Sequence, residues 1–134
     1  MSSSLKESLE LVLPYPPSVN HFKKVGCLTR TKSGKLYQAR VNSPETTAYY
    51  YRVWHYIRSR GLKSFGSATI SVEVLVHPPD KRKRDLDGIL KVLLDSLQRG
   101  GLFDDDAQVA RLLVTRCGTM EDGQIIVEVS EIEK

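Results

Sequence analysis

The sequence lacks the features of a membrane-spanning, a secreted or a zinc-binding protein. No stretch approaches the ~18 consecutive apolar residues that span a bilayer, and residues 1–6 lack the apolar core of a secretory signal. The chain holds only two cysteines and three histidines, and none of them has zinc-ligand spacing. We therefore expect a cytoplasmic protein with reduced cysteines, in which any metal is a hard ion held by carboxylates.

The charge of the chain is unevenly distributed along its 134 residues, which we expect to form one domain, 1–134. The net charge is +4. Residues 1–84 hold fifteen Lys and Arg against five Asp and Glu, whereas residues 85–134 hold five against eleven. A basic part joined to an acidic part suits a protein that binds a polyanion and presents carboxylates to it. Charge also varies along chains that have no such function.

The apolar pattern predicts an α/β (α+β) fold with one mixed sheet and helices packed on it. Asp122-Gly123 is a strong signal for a hairpin that joins the last two strands. Ser33-Gly34 indicates a turn in a loose basic hairpin. The predicted strands are 8–13, 68–76, 109–117 and 124–130, the basic hairpin lies within 21–40, and the helices are 44–60 and 86–98.

The first predicted helix carries most of the aromatic residues. Asn42 or Ser43 is expected to cap it, with Pro44 in its first turn. Its buried face is predicted from the spacing of Tyr50, Val53, Trp54 and Ile57. The three tyrosines at 49–51 have two interpretations, either stacking on nucleic-acid bases or, as is more common on a helix, packing in the core.

The second predicted helix begins where four consecutive cations, residues 81–84, lead into two carboxylates. Asp85 falls near the N-cap and Asp87 near the second helical position. There, unpaired backbone N–H groups and the helix dipole stabilise negative charge. Lys91 follows Asp87 by four residues, so the two share a helix face.

A second acidic group, the acidic turn Asp104-Asp105-Asp106, follows this helix. If the chain returns there to the start of the helix, three carboxylates converge beside a lysine, although the spacing alone does not determine that distance. Mg²⁺ prefers such oxygen ligands, and it activates bound water for phosphodiester hydrolysis. Nearby cations would neutralise DNA phosphates. Each acidic group also has an ordinary interpretation as a helix cap, a first-turn charge or a solvated turn.

Two separated segments of the chain carry one extended motif. Its residues are Leu13-Pro14-x-Pro16-Pro17-Ser18-x-Asn20, Asp85-x-Asp87-x-x-x-Lys91-x-x-x-Asp95-x-Leu97, Gly101 and Asp105-Asp106-x-Gln108-Val109. A motif of this length at two separated places is specific, whereas a single Asp-x-Asp is not. It resembles the RusA family of Holliday junction resolvases, which is common in phages and prophages, and the likeness covers nearly the whole chain in the same order.

The resemblance implies a homodimer that resolves four-way DNA junctions by paired symmetric nicks. It implies Mg²⁺ as the cofactor, with Mn²⁺ able to substitute, and neither a small-molecule cofactor nor a membrane partner. The family's metal-binding aspartates fall on Asp85, Asp87 and Asp106, and its essential lysine falls on Lys91. A two-fold dimer also suits a two-fold symmetric junction, because each subunit then nicks one strand.

Two other functions stay open at this point. One is a magnesium-dependent nuclease that acts on other branched DNA or on RNA, and the other is a non-catalytic nucleic-acid-binding module in which the aspartates only cap a helix. In every case we expect the basic segments to contact phosphates. The candidate DNA-binding residues are Lys23, Lys24, Arg30, Lys32, Lys35, Lys81, Arg82, Lys83 and Arg84.

Overall fold

Six strands and two α-helices make up the part of the chain that the structure describes. The structure is a computed structural model and describes residues 8–17, 23–30, 36–82 and 86–132. For residues 23–30 and 36–42 it describes the backbone alone. The elements in chain order are β1 (Ser8–Leu13), β2 (Lys23–Arg30), β3 (Leu36–Asn42), α1 (Pro44–Ser59), β4 (Ile70–His77), α2 (Leu86–Arg99), a 3-10 turn (Asp106–Gln108), β5 (Val109–Arg116) and β6 (Gln124–Glu131).

Four strands form a mixed sheet in the order β1-β6-β4-β5, which confirms the predicted fold class. β5 runs parallel to β4, whereas β6 is antiparallel to both β4 and β1. The predicted hairpin of the last two strands is wrong, because β4 lies between them. Asp122 and Gly123 do turn the chain, with positive φ angles of 66° and 70°. After this turn the chain crosses β4, and β6 pairs with the side of β4 opposite to β5.

The basic hairpin is confirmed as a separate two-stranded sheet. β2 and β3 pair in antiparallel register from Lys23 opposite Asn42 to Arg30 opposite Leu36. The register shifts between Val25 and Leu28, which marks an irregularity in β2. The predicted turn at Ser33-Gly34 lies outside the described residues.

α1 begins and ends as its sequence predicts. The Ser43 hydroxyl accepts a hydrogen bond from the Thr46 N–H at 3.2 Å, and Gly61, with φ +61°, follows the helix in the left-handed region. Among the tyrosines, positions 49 and 50 are buried, while Tyr51 is 63% exposed. The core prediction therefore fails for Tyr51, and for Trp54, which is 39% exposed.

The core lies between one face of the four-stranded sheet and the two helices. β4 contributes alternate, fully buried side chains from Ile70 to Val76, as predicted. Burying each such side chain stabilises the fold by roughly 1.5–3 kcal/mol. No helix in the described ranges is long and apolar enough to cross a membrane. Cys117 is a free thiol.

β4, α2 and β5 form a βαβ unit, and this unit determines where the candidate site residues lie. In the parallel pair Ile70 lies beside Val109 and Val76 lies beside Arg116. α2 therefore runs back from the carboxyl edge of the sheet, where β4 and β5 end, to the amino edge, where they begin. Residues at the start and at the end of α2 consequently belong to opposite edges.

Candidate active site

The carboxyl edge holds the first acidic group. Asp87 is the second residue of α2, and its side chain is exposed. Lys91 is exposed one turn further along the helix, on the same face because 3.6 residues complete a turn. Asp85 directly precedes the helix but lies outside the described residues. The carboxyl edge thus presents an acid and a lysine side by side at the start of a helix.

The amino edge holds the acidic turn, which the Gln108 side chain fastens to the loop before β4. Gln108 Nε2 donates to the carbonyl oxygens of Gly66 at 2.8 Å and Ala68 at 2.6 Å. Gln108 Oε1 accepts from the backbone N–H groups of Asp104 at 3.1 Å and Asp105 at 2.9 Å. One amide side chain therefore makes four hydrogen bonds across the turn. From the sequence, Gln108 was known only as part of the family pattern, although Asp105-x-x-Gln108 has the spacing of a capping box.

The two candidate aspartates of the acidic turn differ in what their carboxylates do. The Asp105 carboxylate caps the 3-10 turn and accepts from the Ala107 N–H at 2.9 Å. The Asp106 carboxylate is exposed and has no hydrogen-bond or salt-bridge partner among the described residues. Of the two, Asp106 is therefore the carboxylate available to a ligand.

A second glutamine attaches the acidic turn to α2. Gln98 Oε1 accepts from the Asp106 N–H at 3.1 Å. Gln98 is in the last turn of α2, and nothing in its sequence context signals this contact, because the partner lies eight residues later in a turn whose conformation depends on tertiary contacts. Together, Gln98 and Gln108 hold the backbone of Asp106 at the amino edge.

Of the described acids, Asp87 and Asp106 do not converge within one chain. Gln98 lies eleven positions after Asp87, so at ~1.5 Å per residue the two are roughly 16 Å apart along the helix axis. Carboxylates that share one Mg²⁺ lie within roughly 4 Å of each other, because each ligand oxygen is ~2.1 Å from the ion. Within the described ranges, no three acidic, histidine or cysteine side chains form a group that could hold a metal. The acidic turn thus lies away from Asp87, which answers the question that the spacing alone left open.

Asp95, which is part of the family pattern, faces α1 rather than the acids. The Tyr50 hydroxyl donates to Asp95 Oδ2 at 3.5 Å, and the Arg99 guanidinium lies 4.5 Å from the centre of the Tyr50 ring. Burial, and then the Asp95 carboxylate, raise the pKa of Tyr50 to about 12. Asp95 therefore helps to hold the two helices together.

The N-terminal part of the family pattern also packs against α1. The Tyr49 hydroxyl donates to the Pro14 carbonyl oxygen at 2.8 Å. A Cβ at Gly123 would lie 2.8 Å from the Tyr15 Cβ, so this turn needs glycine both for space and for its positive φ. Residues 14 and 15 thus link β1, α1 and the turn before β6.

The candidate DNA-binding cations are described only in part. Lys81 and Arg82 are exposed, and the Arg82 guanidinium pairs with Asp80 at 3.0 Å. Such a surface ion pair contributes at most about 1 kcal/mol, so a phosphate can replace the carboxylate. For Lys23, Lys24 and Arg30 the structure gives the position in β2 alone. Lys32, Lys35, Lys83 and Arg84 lie outside the described residues.

The sequence of the chain is similar to that of a family of endodeoxyribonucleases. The chain matches the family model described as endodeoxyribonuclease RusA over residues 14–130. The crossover junction endodeoxyribonuclease rusA of Enterobacteria phage HK97 is 34% identical over 124 residues, which cover 92% of this chain and 95% of the relative. The RusA proteins of Escherichia coli K12 and of Enterobacteria phage 82 are each 29% identical over 122 residues, 91% of this chain and 93% of each relative. This chain belongs to the RusA family, which confirms the resemblance.

Proposed function

We propose that this protein is a structure-selective endonuclease that resolves Holliday junctions by Mg²⁺-dependent hydrolysis of the DNA backbone. The observation that carries the proposal is family membership, because residues 14–130 match the RusA family model. The relatives are named as crossover junction endodeoxyribonucleases. The positions that the family pattern assigns to chemistry hold Asp85, Asp87, Lys91 and Asp106 in this chain.

The separation of Asp87 from Asp106 implies that the active site is completed by a second subunit. Each carboxylate is exposed at its own edge of the sheet. Neither edge of one chain holds both of them, and a small loop movement does not cover roughly 16 Å along a helix. A homodimer in which one subunit's carboxyl edge meets the other's amino edge brings the two groups together. By symmetry it builds two such sites.

β5 is the element best suited to that interface. Among the described strands it pairs with β4 alone, so its outer backbone groups have no strand partner. Leu112 and Leu113 are each 41% exposed on its two faces. Exposed apolar edge strands pair readily with another chain. A two-fold axis beside β5 would run the two β5 strands antiparallel and place the acidic turn of one subunit beside the start of the partner's α2.

The residue types of this shared site fit Mg²⁺. Asp85 and Asp87 of one subunit and Asp106 of the partner subunit would hold the ion through carboxylate oxygens, its preferred ligands. When bound, Mg²⁺ stabilises charge on the scissile phosphate and lowers the pKa of a bound water. Lys91, one turn from Asp87, would neutralise an oxygen of the same phosphate.

The cations of the chain would hold the DNA against these carboxylates. Lys81 and Arg82 follow the end of β4 at the carboxyl edge, and β2 would add the phosphate contacts of Lys23, Lys24 and Arg30. Contacts with phosphates give affinity without sequence preference, so selection of a junction depends on its shape. The two sites of a symmetric dimer would nick two strands related by the junction's own two-fold symmetry.

The test compares labelled four-way, forked and linear DNA and an RNA duplex, each with Mg²⁺ and with EDTA. We expect cleavage of the four-way junction, with symmetric nicks in opposite strands, and no cleavage in EDTA. Equal cleavage of linear duplex would contradict junction selectivity. Salt-sensitive binding without products at any Mg²⁺ concentration would contradict the assignment as an enzyme.

A further inference from the structure

The outward side of α1 carries an unusual concentration of exposed aromatic and cationic side chains. We name it the α1 outer face. Monomeric proteins rarely expose contiguous aromatic patches unless they bind something. The outer face borders a groove of about 410 Å³ whose lining includes Tyr56 and Ser59. Its exposed residues are Tyr51, Arg52, Trp54, His55, Arg58 and Arg60.

The rings and guanidinium groups of this face form two stacks. Tyr51 and Trp54 are stacked, with ring centres 6.1 Å apart and planes 20° apart, and the Arg58 guanidinium carbon lies 5.1 Å from the centre of the Trp54 ring. Arg60 lies 4.1 Å from the centre of the Tyr56 ring in the second stack. The Tyr51 ring also neighbours His55, with ring centres 6.3 Å apart and planes 39° apart. Tyr51 is nevertheless 63% exposed, more than Trp54, so its ring is the one most accessible to a flat ligand group.

The face is suited to a polyanion. From residue 46 to residue 72 the chain has four cations and no acidic residue. Aromatic rings interleaved with arginines are the usual chemistry of single-stranded nucleic-acid binding, in which bases stack on rings while cations contact the backbone. A protein partner of acidic character would pair with the arginines but would not use the exposed Tyr51 ring for stacking.

The face also adjoins the proposed catalytic surface. Arg58 Nη1 donates to the Gly100 carbonyl oxygen at 2.8 Å, and Gly100 begins the segment that leads to the acidic turn. Asp106 therefore follows closely on a segment that contacts the outer face. A DNA strand bound on the outer face would therefore lie beside the segment that leads to the amino edge.

We propose that the α1 outer face binds unpaired bases of branched DNA by stacking them on Tyr51. The inference rests on the proposed function, because the bases in question are those that a junction exposes near its branch point. It adds a second contact beside the phosphate contacts. This contact would favour branched over linear DNA, since linear duplex keeps its bases stacked and paired.

The test uses Trp54, the only tryptophan of the chain, as a reporter of stacking. We expect a single-stranded thymidine 12-mer, added in EDTA, to quench its fluorescence to saturation. Tyr51→Ala should weaken binding of the 12-mer and of a four-way junction by roughly tenfold, in keeping with the loss of one stacked base. Binding of linear duplex should be unchanged. Tyr51→Phe retains the ring and should bind as the unchanged protein does.

Several outcomes would overturn the inference. One is a 12-mer that fails to bind, or that binds by fluorescence anisotropy without changing Trp54 emission. Another is a Tyr51→Ala protein that melts and binds like the unchanged protein. Cleavage assays on the unchanged protein separate the two proposals. Junction cleavage without quenching contradicts the stacking surface alone, whereas quenching without cleavage contradicts the proposed activity and supports the surface.

Discussion

The two acidic groups of the candidate site lie in regions that are built in different ways. Asp87 needs only that α2 forms, because its position follows from the start of a helix. Asp106 is held at the end of a turn that Gln98 and Gln108 fasten to α2 and to the loop before β4. Substitution of Asp87 should therefore act on activity alone, whereas substitution of the two glutamines that hold Asp106 should act on both stability and activity.

The largest effect is expected at the acids themselves. Asp87→Asn and Asp106→Asn should each slow junction cleavage by at least about a hundredfold, a loss of roughly 2.7 kcal/mol in transition-state stabilisation. The reason is that the amide removes an anionic ligand of the ion. Binding to the junction should persist, since it depends on the cations. Single-turnover cleavage and gel-shift assays measure the two quantities.

Neighbouring acids provide the control for this prediction. Asp104→Asn changes an exposed acid in the same turn and should alter cleavage by no more than about twofold, as for ordinary surface positions. Asp105→Asn should behave similarly, because Asn caps helices as well as Asp does. Loss of activity in Asp105→Asn with full activity in Asp106→Asn would reverse the assignment between these two residues.

The scaffold of the acidic turn gives the next largest effect. Gln108→Ala removes four hydrogen bonds and should lower the free energy of unfolding by about 2 kcal/mol, with solvent replacing part of the loss. Gln98→Ala removes one bond to the Asp106 N–H and should cost about 1 kcal/mol or less. Chemical denaturation measures both. Cleavage measured below the melting temperature should fall more for Gln108→Ala, and equal stability of the two variants would contradict the described network.

A smaller effect is expected where the two helices meet before the acidic turn. A Cβ at Gly100 would lie 2.6 Å from Ile57 Cδ1 and 3.1 Å from the Ser96 carbonyl oxygen. Gly100→Ala should therefore destabilise the protein by about 1–2 kcal/mol through overpacking. Gly118→Ala is the matched control, because a Cβ there has no atom within 4 Å. Thermal melts of the pair measure the difference, and equal melting temperatures would contradict this packing.

The smallest expected effect is a loss of stability at alkaline pH, where two buried tyrosines of α1 ionise. The pKa of Tyr50 is raised to about 12, and burial also raises that of Tyr49. In the unfolded chain both titrate near pH 10, so the folded state keeps its protons longer. Their contribution to stability is complete below about pH 10 and is lost as pH rises towards 12. The melting temperature should fall over that pH range, and it should fall less in Tyr50→Phe. If the melting temperature of Tyr50→Phe falls as steeply with pH as that of the unchanged protein, the effect is contradicted.

Local sequence signals predicted the elements well. Alternation identified β1 and β4, and the Ser43 cap, the following proline and Gly61 identified α1, because these signals depend on neighbouring residues alone. The same holds for Asp87, whose place in the first turn of α2 follows from local spacing. The motif at residues 85–109 identified the family, which the family match confirms.

Pairing between distant elements was predicted less well. The Asp122-Gly123 turn is real, but its local geometry does not determine which strand lies beside β6. The burial of Trp54 was predicted wrongly because it borders the apolar face of α1, where spacing is ambiguous. The distance between the acids stayed open for a similar reason. Spacing along the chain does not determine where the acidic turn lies, and the parallel pairing of β4 and β5 puts it at the opposite edge of the sheet from Asp87.

The central claim is that each active site draws Asp87 from one subunit and Asp106 from the other. Mixing inactive Asp87→Asn protein with inactive Asp106→Asn protein tests it, after subunits are exchanged by brief denaturation. A shared site predicts recovery of about a quarter of the unchanged protein's sites, since half of randomly formed dimers are mixed and each has one intact site. The products should be single nicks. If the mixture stays as inactive as its parts while unchanged protein treated in the same way recovers its activity, the shared site is contradicted.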